Sequence, residues 1–235
     1  MTQIPDFRPF KPSSGARREL PDVTLVAVDG TTNPAATAAS LAAAASLVAF
    51  ARTLLLSPVR PADAAPESSS LDWIEIPPLT LKGYNQFCLA DLHRFITTSH
   101  CLTVQGDSRI VNPDAWDDGW LAFDYIGAPW PPGHTGTPYR VGNSGFCLRS
   151  RRLLQATASL PNDSYVWRGQ VKPSSRDDVI TCVMFREHLE ALGLRFAPVD
   201  VAARFAFESV TPESPALSDQ FGTHELRASK RRAGP

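Results

Sequence analysis

The chain reads as an α/β domain with a mostly parallel central sheet flanked by helices, and three observations predict it. Apolar runs of strand character, T-L-V-A-V before Asp29, T-L-L-L-S at Thr53 to Ser57 and C-L-T-V-Q at Cys101 to Gln105, alternate with segments of helical apolar spacing. With 235 residues, 43% of them hydrophobic, the chain has enough apolar material to bury one full core rather than two. Acidic residues stand at or just past the ends of two such runs, Asp29 and Asp107, and open α/β sheets gather ligands in the crevice outside the carboxyl ends of their strands.

Residues 1–20 carry Pro5, Pro9 and Pro12 without apolar periodicity and read as a flexible N-terminal arm. The folded domain is expected over residues 21–225, and a flexible basic tail containing K-R-R over 226–235. The first strand is expected at Val23 to Val28, followed by a turn, Asp29 to Asn33, in which Asn33-Pro34 suits an N-cap with proline at the first helical position. The stretch from Asn33 to Ala51 holds no charged residue and approaches membrane-spanning length. Its alanine content, Thr37, Ser40 and Ser46, and its place directly after a strand make it a buried helix of a βα unit instead. Thr53 to Ser57 is the second strand, Pro58 to Ser70 a flexible connection, and W-I-E-I-P a third strand. A helix follows from about Asn85 to Thr97, with Phe87, Leu89, Leu92, Phe95 and Ile96 on its apolar side. Beyond Asp107 short strands near Ser108 to Val111, Tyr125 to Ala128 and Gly145 to Arg149 are broken by Pro, Gly and Trp. Arg176 to Leu192 then reads as an amphipathic helix and Val201 to Ser209 as a late strand.

A net charge of -1 argues against nonspecific nucleic-acid binding, which needs a basic surface to displace counterions. The four cysteines, Cys88, Cys101, Cys147 and Cys182, lie far apart and form no C-x-x-C pair. They read as reduced thiols of a cytoplasmic protein with no transmembrane segment.

Asp29-Gly30-Thr31 invites comparison with phosphatases that use D-x-D-G-T, but the position of their nucleophile is Ala27 here. The remaining readings are a β1 edge where Asp29, Thr31 and Thr32 meet a nucleotide, and a plain helix-start turn. Asp107 follows Gly106, which lets the backbone approach a ligand. A single carboxylate can suffice for Mg²⁺ or Mn²⁺, because these hard cations keep waters and substrate phosphates as their other partners; the competing reading is a strand-end Asp that caps a turn. Trp116, Asp117, Asp118 and Trp120 form an acidic and aromatic turn of structural character. Pro131 to Pro138 reads as a lid-like loop, with His134 a solvated loop histidine. The turn at Asn143, Ser144 and Gly145 suits hydrogen bonds to sugar hydroxyls, or is a plain glycine turn. Asp177 and Asp178 open a helix, where acids offset the dipole or aim a base into a cleft.

Several of these pieces fall in one order: K-G-Y-N at Lys82 to Asn85, Q-G-D-S at Gln105 to Ser108, N-P at Asn112-Pro113, D-Y-I-G-A-P-W at Asp124 to Trp130 and G-N-S-G-F-C-L-R-S at Gly142 to Ser150. Together they resemble a family of glycosyltransferase-like proteins catalogued only as a domain of unknown function, with Q-W-D-G, N-P, D-Y-I-G-A-P-W and G-N-G-G-F-S-L-R-S in the same order. The likeness covers roughly Asp22 to His224. Here Gly106-Asp107-Ser108 replaces W-D-G, and Ser144 and Cys147 stand where Gly and Ser are usual. The resemblance implies a GT-A-like single domain that moves a sugar from a nucleotide-diphosphate donor to a carbohydrate or other hydroxyl acceptor. By it, Asp107 is the metal-side carboxylate for a divalent cation, Mn²⁺ or Mg²⁺, and His224 its late partner. Asp178, with Asp177 beside it, maps onto the base. Asp29, Thr31 and Tyr84 fall to the nucleotide, and Asn143, Ser144 and Gly145 to the donor sugar. The alternative is a catalytically silent nucleotide- or sugar-binding module of the same fold.

Overall fold

The structure, a computed structural model, describes residues 17–61, 71–160, 164–167, 170–173 and 176–224. Residues 1–16 of the expected arm, 62–70 of the expected connection and the expected tail at 226–235 lie outside the described residues.

The elements are β1 (Arg18–Val28), α1 (Ala35–Leu47), β2 (Val48–Ser57), β3 (Leu71–Glu75), α2 (Leu81–Ala90), β4 (His100–Val104), β5 (Arg109–Ile110), β6 (Tyr125–Ile126), β7 (Phe146–Ser150) and α3 (Arg151–Thr157). They continue with β8 (Ser164–Trp167), β9 (Gln170–Pro173), α4 (Asp177–Val179), α5 (Arg186–Ala191), α6 (Val199–Phe205), β10 (Ala206–Phe207) and β11 (Gly222–Thr223). A six-stranded sheet runs in the order β3-β2-β1-β4-β7-β6. β1, β2, β3 and β4 are parallel, while β7 runs antiparallel to both β4 and β6. The mostly parallel α/β architecture expected from the sequence is therefore present. A small sheet, β10-β11-β5, stands apart from it.

Burial on both faces explains why the strand sequences are continuously apolar. Along β1, Leu25 and Ala27 enter one core with α1, while Val26 and Val28 enter another with Leu54, Leu56 and Cys101. Helix α1 buries Thr37, Ala38, Ser40, Leu41 and Ala44, a stripe at helical spacing. No helix among the described residues is long and apolar enough to cross a membrane.

Several local expectations are corrected. β1 begins at Arg18, so the last residues assigned to the arm, Arg18 to Leu20, are strand. Pro34 rather than Asn33 is the cap residue of α1, and no side chain caps it; the turn is closed instead by Asp29 and Thr31. The uncharged stretch changes to strand at Val48, where a β-branched residue ends the alanine run and β2 starts without a loop. Helix α2 starts earlier than expected because Thr80 caps it, accepting from the Gly83 amide at 3.2 Å. The helix expected over Arg176 to Leu192 is broken: a π turn spans Ile180–Met184, and Phe185 interrupts the path to α5. Val201 to Ser209 is mostly the helix α6, since Pro198 starts it and Ala202, Ala203 and Phe205 form its buried face. Trp116 and Trp120 fill the core edge-on with Phe221, matching their structural reading.

Candidate functional site

Strands β1 and β4 are parallel neighbours, with Val26 opposite Thr103. Their carboxyl ends therefore deliver Asp29 and Gln105 to the same edge of the sheet. There a cleft of about 360 Å³ is lined by Val28 to Thr31, Thr37, Leu79 to Leu81, Tyr84 and Gln105. The Asp29 carboxylate accepts from the Thr31 amide (2.9 Å) and hydroxyl (2.7 Å) on one oxygen and from the Thr37 hydroxyl (2.6 Å) on the other. Gly30 is required here, because a Cβ would stand 2.5 Å from the Leu79 Cβ. The expected nucleotide residues Asp29, Thr31 and Tyr84 thus share one cleft.

Just past β4, Ser108 pins the turn that carries Asp107. Its hydroxyl accepts from the Gln105 amide at 3.0 Å and donates to the Gly145 carbonyl at 2.6 Å. Asp107 itself is 51% exposed, and one of its oxygens lies 3.3 Å from His224 Nε2. The two residues expected on the metal side, 117 positions apart in sequence, are neighbours. Gln105 joins them to the cleft: its Nε2 donates to the Tyr84 hydroxyl at 2.8 Å, and its Oε1 lies 3.1 Å from His224 Nε2. Burial pushes the Tyr84 phenol well above its ordinary pKa, so it stays a neutral hydroxyl.

Asp107 and His224 supply a donor set that fits a divalent cation. Their 3.3 Å separation compares with about 3 Å between adjacent corners of an octahedron with bonds of about 2.1 Å. The approach to His224 is open because residue 145 is glycine; a Cβ there would stand 2.1 Å from Nε2. Among the described residues no group of three or more His, Cys, Asp or Glu side chains is arranged to hold a metal. Remaining corners would fall to water and to substrate phosphates.

Of the two readings of the turn before β7, a sugar-binding turn and a plain glycine turn, the hydrogen bonds show a turn closed on itself. Asn143 is buried in a left-handed conformation (φ 65°), and its side-chain oxygen accepts from the amides of Gly145 at 2.8 Å and Phe146 at 3.3 Å. Those amides are occupied by the turn itself. Ser144 is half-buried, and Gly145 faces His224 rather than the cleft.

The acidic pair divides into two unlike groups. Asp177 is 1% exposed and paired at 2.6 Å with Arg149, itself buried. Its amide donates to Asn85 Oδ1 at 2.9 Å. Its carboxylate is engaged with a guanidinium and does not suit the base role. Asp178 is also buried, and among the described residues its carboxylate accepts a 2.7 Å bond from the Val179 amide. Burial, with the neighbouring Asp177 charge, pushes Asp178 up to about 6; Glu208 adds to the rise and Arg176 opposes it.

The lid-like loop is strapped down. Trp130 donates its amide to the Arg140 carbonyl, and Arg140 makes a two-pronged pair with Glu213 at 2.8 and 2.9 Å. The sequence reading missed Gln105, Glu208, Arg149 and Asn85 as parts of this region. Gln105, Asn85 and Arg149 lie inside the quoted motifs, where they had no role of their own; Glu208 is recruited from a distant segment.

Acidic and polar side chains thus gather at the carboxyl ends of neighbouring parallel strands, the edge at which open α/β sheets take their ligands. Residues 75–224 match the family described as protein of unknown function (DUF5672), and the chain belongs to it. No curated protein matches the chain. Among solved structures it is similar to the mannosyltransferase PcManGT of Pyrobaculum calidifontis, in complex with GDP-Man and Mn²⁺, at 15% identity and a TM-score of 0.47 over 81% of this chain and 59% of that one. The chain therefore spans about three fifths of that protein's length. It is also similar to glucosyl-3-phosphoglycerate synthase of Mycobacterium tuberculosis, in complex with Mn²⁺, UDP and glucosyl-3-phosphoglycerate, at 12% identity, a TM-score of 0.44 and coverage of 74% and 68%. HddC of Yersinia pseudotuberculosis matches at 15% identity and a TM-score of 0.35, over 57% of this chain and 79% of that one.

Proposed function

We propose that the protein is a metal-dependent glycosyltransferase of the GT-A type, moving a sugar from a nucleotide-diphosphate donor to a hydroxyl acceptor. The observation that carries this reading is the continuous line Asp29, Tyr84, Gln105, His224, Asp107, which runs from a nucleoside-sized cleft to an oxygen-and-nitrogen cation site. Asp29, Thr31 and Tyr84 bind the nucleoside. Asp107 and His224 hold Mn²⁺ or Mg²⁺, whose charge offsets that of the departing diphosphate. Asp178 takes the proton of the acceptor hydroxyl; with a pKa of about 6 it is ionised at neutral pH yet basic enough to accept a proton. Asp177 holds Arg149 and anchors the turn that presents Asp178. Gly145, through His224, shapes the space for the donor sugar. Buried free thiols at all four cysteines fit a reducing compartment, the cytoplasm.

The test is thermal unfolding with UDP, GDP, ADP or CDP, each with and without Mn²⁺. A ligand at a hundred times its Kd stabilises by about 2.7 kcal/mol, so a metal-dependent rise with one nucleotide supports the reading and names the donor class. A second reading, a silent nucleotide- or sugar-binding module, is favoured by the two-residue cation site. Transfer to an acceptor, or donor hydrolysis, excludes it.

A further inference from the structure

We infer that Glu208 is a positioning residue for the cation site: its carboxylate orients the His224 imidazole so that Nε2 faces Asp107. The inference rests on the metal-site reading above and adds a residue to it. Two independent features place Glu208 there. The first is register: β10 and β11 pair in parallel, with Ala206 opposite Gly222 and Phe207 opposite Thr223, so Glu208 and His224 are the next residues out of the ladder, side by side. The pairing is extended to that point by the His224 amide, which donates to the Phe207 carbonyl at 2.9 Å, and by the Thr223 hydroxyl, bonded to the same carbonyl at 3.0 Å. The second is the direction of approach. Glu208 Oε1 lies 3.7 Å from Nδ1, whereas Asp107 at 3.3 Å and Gln105 at 3.1 Å both address Nε2.

A carboxylate therefore faces one ring nitrogen at ion-pair distance, 3.7 Å and beyond hydrogen-bond length, while the other nitrogen faces the site. Gly145 lies against the same ring, where any Cβ would collide with it. A carboxylate behind a metal-bound imidazole fixes its tautomer and orientation and raises its basicity, and losing such a partner weakens metal binding about 10- to 100-fold. Glu208 does this by contacting His224. It is not itself a ligand.

The experiment is Mn²⁺ binding to the full chain, read from the loss of the free-ion electron paramagnetic resonance signal. It is run for the wild type and for Asp107→Ala, His224→Ala, Glu208→Ala and Glu208→Gln, with thermal unfolding of each without metal. The expected pattern is binding by the wild type and its loss in Asp107→Ala and His224→Ala. Glu208→Ala should show a Kd raised about 10- to 100-fold with an unchanged metal-free Tm, and Glu208→Gln, which keeps an acceptor oxygen of similar reach, a smaller rise. Wild-type Kd in Glu208→Ala, while the ligand variants fail, overturns the role of Glu208 and leaves the cation site standing. A lower metal-free Tm with unchanged Kd in either Glu208 variant overturns it as well, by making Glu208 structural. No Mn²⁺ bound by the wild type overturns both readings together.

Discussion

The two acidic parts of the site are built in opposite ways. At the ends of β1 and β4, Asp29 is held by hydroxyls and an amide, and Asp107 stands half exposed beside His224. At the start of α4, Asp177 and Asp178 are both inside the protein, and a buried guanidinium from β7 neutralises only the first. The open part leaves carboxylate oxygens at the strand ends, where the proposed cation and nucleotide would bind, at little cost to the fold. The closed part pairs one carboxylate with Arg149, while burial and that neighbouring charge raise the pKa of the other. Substitutions in the closed part should therefore move stability, and those in the open part ligand response.

The largest effect is expected from Arg149→Met. It removes the guanidinium and leaves the Asp177 charge buried and unpaired, a loss of about 3–5 kcal/mol in urea unfolding. A loss below about 1 kcal/mol would show that Asp177 relaxes to water and that the region is less closed than described.

Asp178→Asn should act in the reverse direction. A carboxylate raised to about 6 in the folded protein, against about 3.9 unfolded, weakens the native state as pH rises. The penalty is absent below about pH 4, grows between about 4 and 6 and is complete above, where it amounts to roughly 2–3 kcal/mol. Replacing the ionisable group removes it, so the variant should be the more stable at pH 7.5 and equal to the wild type at pH 4, while transfer is lost. In the wild type, kcat/KM should fall with acid around pH 6. Equal stabilities at both pH values would falsify the burial of an ionised Asp178.

Gly145→Ala probes the boundary between the two parts. The new Cβ, 2.1 Å from His224 Nε2, forces the ring away and should lower stability by about 1–3 kcal/mol, as overpacking does. Mn²⁺ affinity should fall with it. Unchanged affinity would mean that the ring position is immaterial to the cation.

What the sequence revealed and what it hid follow the same division. Asp29 and Asp107 were legible because strand, turn and acid are contiguous, and a continuous apolar run announces a strand buried on both faces. The α6 segment was misread because Val201, Phe205 and Phe207 favour strand locally, while Pro198 and the spacing of Ala202, Ala203 and Phe205 decide for helix. Asn143 stayed open between two readings because a turn with an amide side chain looks equally suited to a ligand or to itself, and its oxygen closes the turn. The Arg149 to Asp177 pair and the Glu208 to His224 contact were invisible, since each depends on a register or packing between segments 28 and 16 residues apart. The π turn after Val179 was hidden too, because Ile180 to Met184 carries ordinary helix-compatible residues.

The smallest effect on the fold, and the one that sharpens the contrast most, belongs to Asp107→Ala. The side chain is 51% exposed, and among the described residues its one ionic contact is the 3.3 Å approach to His224. Exposed pairs of this kind contribute about 0–1 kcal/mol, so metal-free unfolding should move by less than about 0.5 kcal/mol, and Gln105 still addresses Nε2. The response to ligand should change completely: any rise in Tm that needs both a nucleoside diphosphate and Mn²⁺ in the wild type disappears. A rise with the nucleoside alone persists, because Asp29, Thr31 and Tyr84 line the cleft independently of the cation. A variant that kept the metal-dependent rise would move the cation away from Asp107. One that lost the nucleoside response as well would show that Gln105 and His224 transmit the change into the cleft, and the open part would then be one coupled unit rather than two adjacent sites.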